Sequence, residues 1–198
     1  MSGEQMLRLF VACPMPDEAK RALSQVQEDL RRARFSELRF VRREAIHITL
    51  KFLGSVQAAS VGDITRALES AIEPFELRLT LDRLGGFGGA RLRVVWVGLG
   101  GDVEPLARLA GRVEGVLEPL GFPREGRPFA PHVTLSRVPE QTPAGERRRL
   151  SQFVQEYTFP LILPMILTEV HLMRSILRPG DNKYEKLVSF PARGGKQA

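Results

Sequence analysis

The tetrapeptide His47-Ile48-Thr49-Leu50 returns 85 residues later as His132-Val133-Thr134-Leu135, and no other feature constrains the fold as tightly. Two of the chain's three histidines sit in these copies. Side chains of a β-strand alternate between faces, so His47 shares a face with Thr49, and His132 with Thr134. The opposite face of the first copy reads Ile48, Leu50 and Phe52, and that of the second Val133 and Leu135. Each copy is therefore expected to be a strand with an apolar back and an imidazole-plus-hydroxyl front. Two such fronts facing each other would make a symmetric pocket. A lone strand histidine is usually structural or simply exposed. The same polar pair on the same apolar pattern, twice, points to function.

Composition narrows the setting. The chain has 198 residues, enough for a real hydrophobic core, with 43% hydrophobic and 26% charged residues. A net charge of +6 and a pI near 10.1 suit an anionic partner such as RNA or a nucleotide. The runs Arg31-Arg32 and Arg147-Arg148-Arg149 read as solvated helix faces. The single cysteine, Cys13, excludes an intrachain disulfide, reads as core at the end of a strand, and fits a reducing cytoplasm. No apolar run approaches the roughly 20 residues of a membrane span, so no membrane association is expected. Met1 to Gln5 leads straight into a strand without a signal-peptide pattern, and a cytoplasmic location follows as the expectation.

Strands are expected at 7–12, 38–42, 45–53 (ended by Gly54-Ser55), 75–84, 91–97, 129–137, 166–177 and 184–190. Helices are expected from Asp17 to about Arg34, at 57–72, from an Asp102 cap to Leu120, and at 143–157. Gly85-Gly86-Phe87-Gly88-Gly89 lacks the Lys-Ser/Thr of a nucleotide loop and reads as a hairpin turn. Residues 193–198 read as a disordered tail. Both His-x-Thr strands sit between helices in comparable settings, as an internal duplication would leave them.

Imidazole titrates near neutrality, so a pair can hold one neutral and one protonated ring, as concerted general base and general acid catalysis requires. Threonine hydroxyls donate to non-bridging phosphate oxygens, and Arg137 adds a bidentate fork. Strict alternation places Arg137 on the face opposite His132, so the chain must twist or leave the strand there. Phe10 lies on the polar side of the first strand, either as packing or as a surface on which a base stacks. Zinc sites need three or four ligands, and no carboxylate lies within the motifs; neither a metal nor another cofactor is expected. No Gly-x-Ser-x-Gly elbow for a serine hydrolase is present.

The runs His47-Ile48-Thr49-Leu50-Lys51-Phe52-Leu53-Gly54 and Pro131-His132-Val133-Thr134-Leu135-Ser136-Arg137 resemble the two signature motifs of the two-histidine phosphoesterase superfamily. The nearest branch is the RNA 2′,3′-cyclic phosphodiesterases of bacteria and archaea, long called 2′-5′ RNA ligases. Leu9-Phe10-Val11-Ala12, Gly121-Phe122 and Leu172 to Tyr184 share the resemblance, which covers nearly the whole chain. Two departures stand out: Phe40-Val41 where the family usually carries Trp-Val, and Arg174-Ser175 where an acidic residue often precedes the serine.

The resemblance implies an α+β fold of two lobes, with antiparallel sheets flanked by helices around a central cleft and a pseudo-two-fold duplication. Residues 1–198 would form one bilobal phosphodiesterase domain, expected to be a monomer. By the same resemblance His47 and His132 are catalytic, and Thr49, Thr134 and Arg137 hold the phosphate. Phe10 is a candidate base platform and Tyr184 a further substrate contact. The implied reaction opens RNA or nucleoside 2′,3′-cyclic phosphate ends to 2′-phosphomonoesters without metal, with His47 provisionally the acid and His132 the base. Alternatives are ligation of such ends to a 5′-hydroxyl, and a non-catalytic nucleotide- or RNA-binding module.

Overall fold

The computed structural model describes residues 5–35, 37–159, 163–178 and 181–191. The expected tail at 193–198 lies outside them. In chain order the elements are β1 (Met6–Pro14), α1 (Asp17–Arg32), β2 (Arg39–Phe40), β3 (His47–Gln57), α2 (Val61–Ala71), β4 (Leu77–Phe87), β5 (Val94–Gly101), α3 (Val103–Leu117), β6 (His132–Arg137), α4 (Ala144–Glu156), β7 (Pro164–Leu167), β8 (Glu169–Arg178) and β9 (Asp181–Pro191). The described strands form a single antiparallel sheet in the order β7-β4-β5-β6-β3-β1-β8-β9, with β2 added to β6. The order is symmetric about the β6–β3 junction, with four strands to each side. Each half carries one His-x-Thr strand at the junction, which gives the duplication a physical form. The junction is thin: β3 and β6 share the register pair Ile48–Val133.

The helices follow from their apolar stripes. Leu23, Val26 and Leu30 of α1, Ile64 and Leu68 of α2, and Leu106, Leu109, Val113 and Leu117 of α3 are buried against the sheet. Gly121 adopts φ +89° and closes α3 after one 3-10 turn, a left-handed position that glycine tolerates without steric cost. Cys13 is fully buried, and burial pushes its thiol up to about 12, so it is an inert core residue as expected. No helix among the described residues is long and apolar enough to cross a membrane.

Several expectations are corrected. The strand expected at 166–177 is two strands. β7 pairs with β4 at one end of the sheet, and β8 pairs with β1 towards the other, so the chain changes halves at Thr168. Gly54-Ser55 does not end β3: Gly54 takes φ +72° beside a register shift, and the strand runs on to Gln57. Gly85 and Gly86 belong to β4, and Gly88, at φ +114°, makes the turn. A Cβ on Gly85 would lie 2.3 Å from the Trp96 ring, so glycine there admits the indole.

Asp102 does not cap α3 through its side chain; its carboxylate accepts the Arg78 backbone N–H at 2.8 Å and ties the helix start to β4. Arg147 is not on a solvated face. It is buried and donates to the carbonyls of Leu92, Pro139, Glu140 and Thr142, pinning the segment that follows β6.

Candidate active site

The two motif strands differ from ideal strands at the same place. In the β1–β3 register Ala12 faces Thr49 and Val11 faces Lys51; in the β5–β6 register Trp96 faces Thr134 and Val95 faces Ser136. Leu50 and Leu135, the last residue of each tetrapeptide, are thus the extra residues of two equivalent β-bulges. A bulge reverses the alternation beyond it. Lys51 and Ser136 turn inward and are buried, while Phe52 and Arg137 turn to the histidine side. This resolves the placement of Arg137, and it corrects that of Phe52, which was expected in the core and is 61% exposed.

Each buried bulge is held by groups that the strand pattern does not reveal. The Leu135 carbonyl accepts from the Val41 N–H at 2.8 Å and from Gln27 Nε2 of α1 at 3.0 Å. Lys51 Nζ donates to Glu114 Oε1 of α3 at 3.0 Å and to the Pro123 carbonyl at 2.5 Å. Glu114 also accepts the Glu125 backbone N–H at 3.0 Å, so β3, α3 and the segment leading to His132 are fastened together. These contacts hold the Glu114 carboxyl below the usual range, against the opposing effect of its own burial.

The face so formed lines a cavity of about 800 Å³ that contains His47, Thr49, His132, Thr134, Arg137 and Tyr184. Antiparallel pairing about Ile48–Val133 aligns His47 with Thr134 and Thr49 with His132. His47 Nδ1 lies 2.7 Å from the Ala45 carbonyl, and His132 Nδ1 lies 2.7 Å from the Ala130 carbonyl. A carbonyl only accepts, so both rings carry their proton on Nδ1 when neutral, and each Nε2 is left as a lone pair on the cavity side. Thr49 Oγ1 sits 3.0 Å from His47 Nε2. Burial lowers the His47 pKa below 6.5, against the Ala45 carbonyl, and the nearby positive charge of His132 lowers it further.

Each imidazole is braced by rings from the neighbouring strands. Phe10 lies 4.8 Å from the His47 ring, and Tyr184 meets His47 edge-on at 5.3 Å. Phe87 meets His132 edge-on at 4.9 Å, with Trp96 at 6.1 Å. Phe10 is 3% exposed and also carries Tyr184 at 5.1 Å, so of its two expected roles its surroundings favour packing. Phe87, Trp96 and Phe52 were missed as site residues. The signal available for Trp96 was Gly85-Gly86, bare backbone opposite an indole. His171 stands apart from the cavity, with Nε2 2.8 Å from Glu169. Among the described residues no group of three or more His, Cys, Asp or Glu could hold a metal ion.

The model of the 2′-5′ RNA ligase superfamily matches residues 15–177. The chain belongs to that superfamily. Among curated relatives, the RNA 2′,3′-cyclic phosphodiesterase of Archaeoglobus fulgidus is 31% identical over 186 residues, which are 93% of this chain and 99% of the relative. That of Methanocaldococcus jannaschii is 27% identical over 93% of this chain and 100% of the relative. The crystal structure of E. coli LigT complexed with 3′-AMP superposes with a TM-score of 0.77 at 25% identity, covering 96% of this chain and 99% of LigT. The superfamily member TT0787 of Thermus thermophilus superposes with a TM-score of 0.76 at 26% identity, over 96% of this chain and 100% of the other. The antiparallel α+β architecture expected from the motifs is therefore that of the superfamily.

Proposed function

We propose that this chain is an RNA 2′,3′-cyclic phosphodiesterase, working as one bilobal unit that opens the terminal cyclic phosphate to a 2′-phosphomonoester. The observation that carries the reading is the pair of imidazoles with free Nε2 atoms on β3 and β6, lining one cavity with both threonines and Arg137. The relatives' activity supports it.

The cyclic phosphate lies between the two fronts, its non-bridging oxygens accepting from Thr49, Thr134 and the Arg137 fork. His47, whose pKa is lowered, is the ring that stays neutral and acts as base, which reverses the provisional order expected from the motifs. His47 Nε2 takes a proton from water as the water oxygen bonds to phosphorus. The bond from phosphorus to O3′ breaks on the opposite side, and O3′ takes the proton of His132 Nε2. The two rings end with exchanged protonation, and proton exchange with solvent resets them. Repulsion between the rings favours the state with one proton on the pair.

The pocket is nearly symmetric, so its unmatched residues orient the nucleoside. Arg137 and Phe52 occupy equivalent places after the two bulges, one a phosphate ligand and the other an exposed ring. Phe52 is the base platform, and Phe10 and Tyr184 brace His47 beneath it. The donor set needs no metal, and activity should survive EDTA. Both motifs come from one chain, so a monomer holds a complete site. An RNA substrate and a single buried thiol fit the cytoplasm.

The test is product analysis. A 2′,3′-cyclic nucleotide incubated with the protein should give the 2′-phosphate by phosphorus NMR. A dominant 3′-phosphate would mean that the nucleoside sits the other way round, and no turnover of any cyclic end would overturn the reading.

A further inference from the structure

A second cavity, of about 300 Å³, adjoins the first and is lined by Met6, Arg8, Ser55, Arg174, Ser175 and Ile176. Arg8 and Ser175 line both cavities, so the two are continuous. The register explains how. Arg8 of β1 pairs with Ser55 of β3 on one side and with Ser175 of β8 on the other, a polar row across three strands. It follows the row of Phe52, Phe10 and Met173, one two-residue step (about 6.6 Å) further along β1. Arg174 sits on the far wall, its charge partly met by Glu185 at 3.5 Å. Arg8 is exposed and makes no ion pair among the described residues.

We infer that this second cavity binds the next phosphate of a single-stranded RNA, the one on the 5′ side of the terminal nucleoside, through Arg8 with Arg174. The inference rests on the phosphodiesterase reading of the first cavity, because it takes its direction from the nucleoside lying over Phe52. Two guanidinium groups and two serine hydroxyls match a phosphodiester's charge and acceptors. A mononucleotide ends before it reaches them. The favoured substrate is then an oligoribonucleotide with a 2′,3′-cyclic end, and the site discriminates against free cyclic nucleotides.

The experiment compares a 2′,3′-cyclic mononucleotide with a tetraribonucleotide bearing the same end, using wild type, Arg8→Ala, Arg8→Lys and Arg174→Ala. Wild type should show a KM for the tetranucleotide lower by about 10-fold, with a steeper salt dependence; each single-strand phosphate contact contributes about −0.7 to the slope of log affinity against log salt. Arg8→Ala should remove most of that advantage and the extra slope while leaving mononucleotide kinetics unchanged. Arg8→Lys should retain the slope, and Arg174→Ala should give a smaller loss of the same kind.

Unchanged tetranucleotide kinetics in both alanine variants would overturn the subsite. So would an equal loss on both substrates, which would assign Arg8 to the central chemistry or to the fold. A second arm does not depend on turnover: fluorescence anisotropy of a labelled tetraribonucleotide with a terminal 3′-phosphate. Weaker binding in Arg8→Ala supports the subsite even if wild type cleaves neither cyclic substrate, an outcome that sinks the phosphodiesterase reading alone. Equal binding by wild type and Arg8→Ala overturns the subsite.

Discussion

Ile48 and Val133 face each other across β3 and β6, both fully buried, at the pair where the two halves of the sheet are joined. Everything polar in the cavity is placed relative to that pair. One residue away on each strand lie His47 and Thr49, or His132 and Thr134, and two residues beyond each threonine the Leu50 and Leu135 bulges have already turned the strands over. The same bulge presents arginine from one half and phenylalanine from the other. Symmetry supplies the acid–base pair; the exception to symmetry supplies an orientation.

The pH profile follows from His47. A base is active when neutral, and His47 gains its proton only below 6.5. The acid limb of kcat/KM should therefore lie below pH 6.5, with a fall at alkaline pH as the acid loses its proton. The folded protein also binds this proton less readily than the unfolded chain. Its stability contribution is thus unaffected above about pH 6.5 and lost as pH falls through it. Melting curves from pH 8 to 5 should show wild type losing more Tm than His47→Asn; equal losses would mean that the ring titrates normally.

Arg137→Ala should raise KM and lower kcat/KM by about 10²-fold or more, since a charge-assisted bidentate contact to the phosphate is lost. Arg137→Lys should recover part of that loss, because an ammonium supplies charge without the fork. Full recovery would show that only the charge matters.

Phe52→Ala should weaken binding of nucleotides by about 1–3 kcal/mol, the worth of one base–aromatic stack, with little change in the affinity for inorganic phosphate. Phe52→Tyr should be close to wild type. Titrations in which phosphate and nucleotide weaken equally would place Phe52 outside the base site.

Much of this was legible beforehand, and the failures share causes. The apolar backs of β3 and β6 and the stripes of α1, α2 and α3 are periodic, so strands, helices and the paired histidines could be read directly. The bulges at Leu50 and Leu135 carry no glycine or proline. They exist because Lys51 finds Glu114 and the Pro123 carbonyl, and because Gln27 and Val41 satisfy the Leu135 carbonyl, partners far away in sequence. Hence Phe52 was expected on the wrong face. Likewise Leu167 and Val170 are both buried with only Thr168 and Glu169 between them, and nothing local says that they belong to opposite halves of the sheet. Phe87 and Trp96 come to His132 through pairing that only the assembled sheet defines.

Lys51→Ala should destabilise the protein by about 3 kcal/mol in urea unfolding, since it breaks a buried ion pair and frees the Pro123 carbonyl. Lys51→Met, which keeps the volume, should cost less. If Lys51→Ala unfolds at the wild-type urea midpoint, the fastening of β3 to α3 contributes nothing.

The most direct measurement is kcat/KM for a 2′,3′-cyclic end with wild type, His47→Ala, His132→Ala and the double variant, each checked for folding by circular dichroism. Each single variant should lose about 10²–10⁴-fold, and the double variant far less than the product of the two losses, because the groups act on one proton-transfer coordinate. A folded single variant with near-wild-type turnover would contradict the two-histidine account.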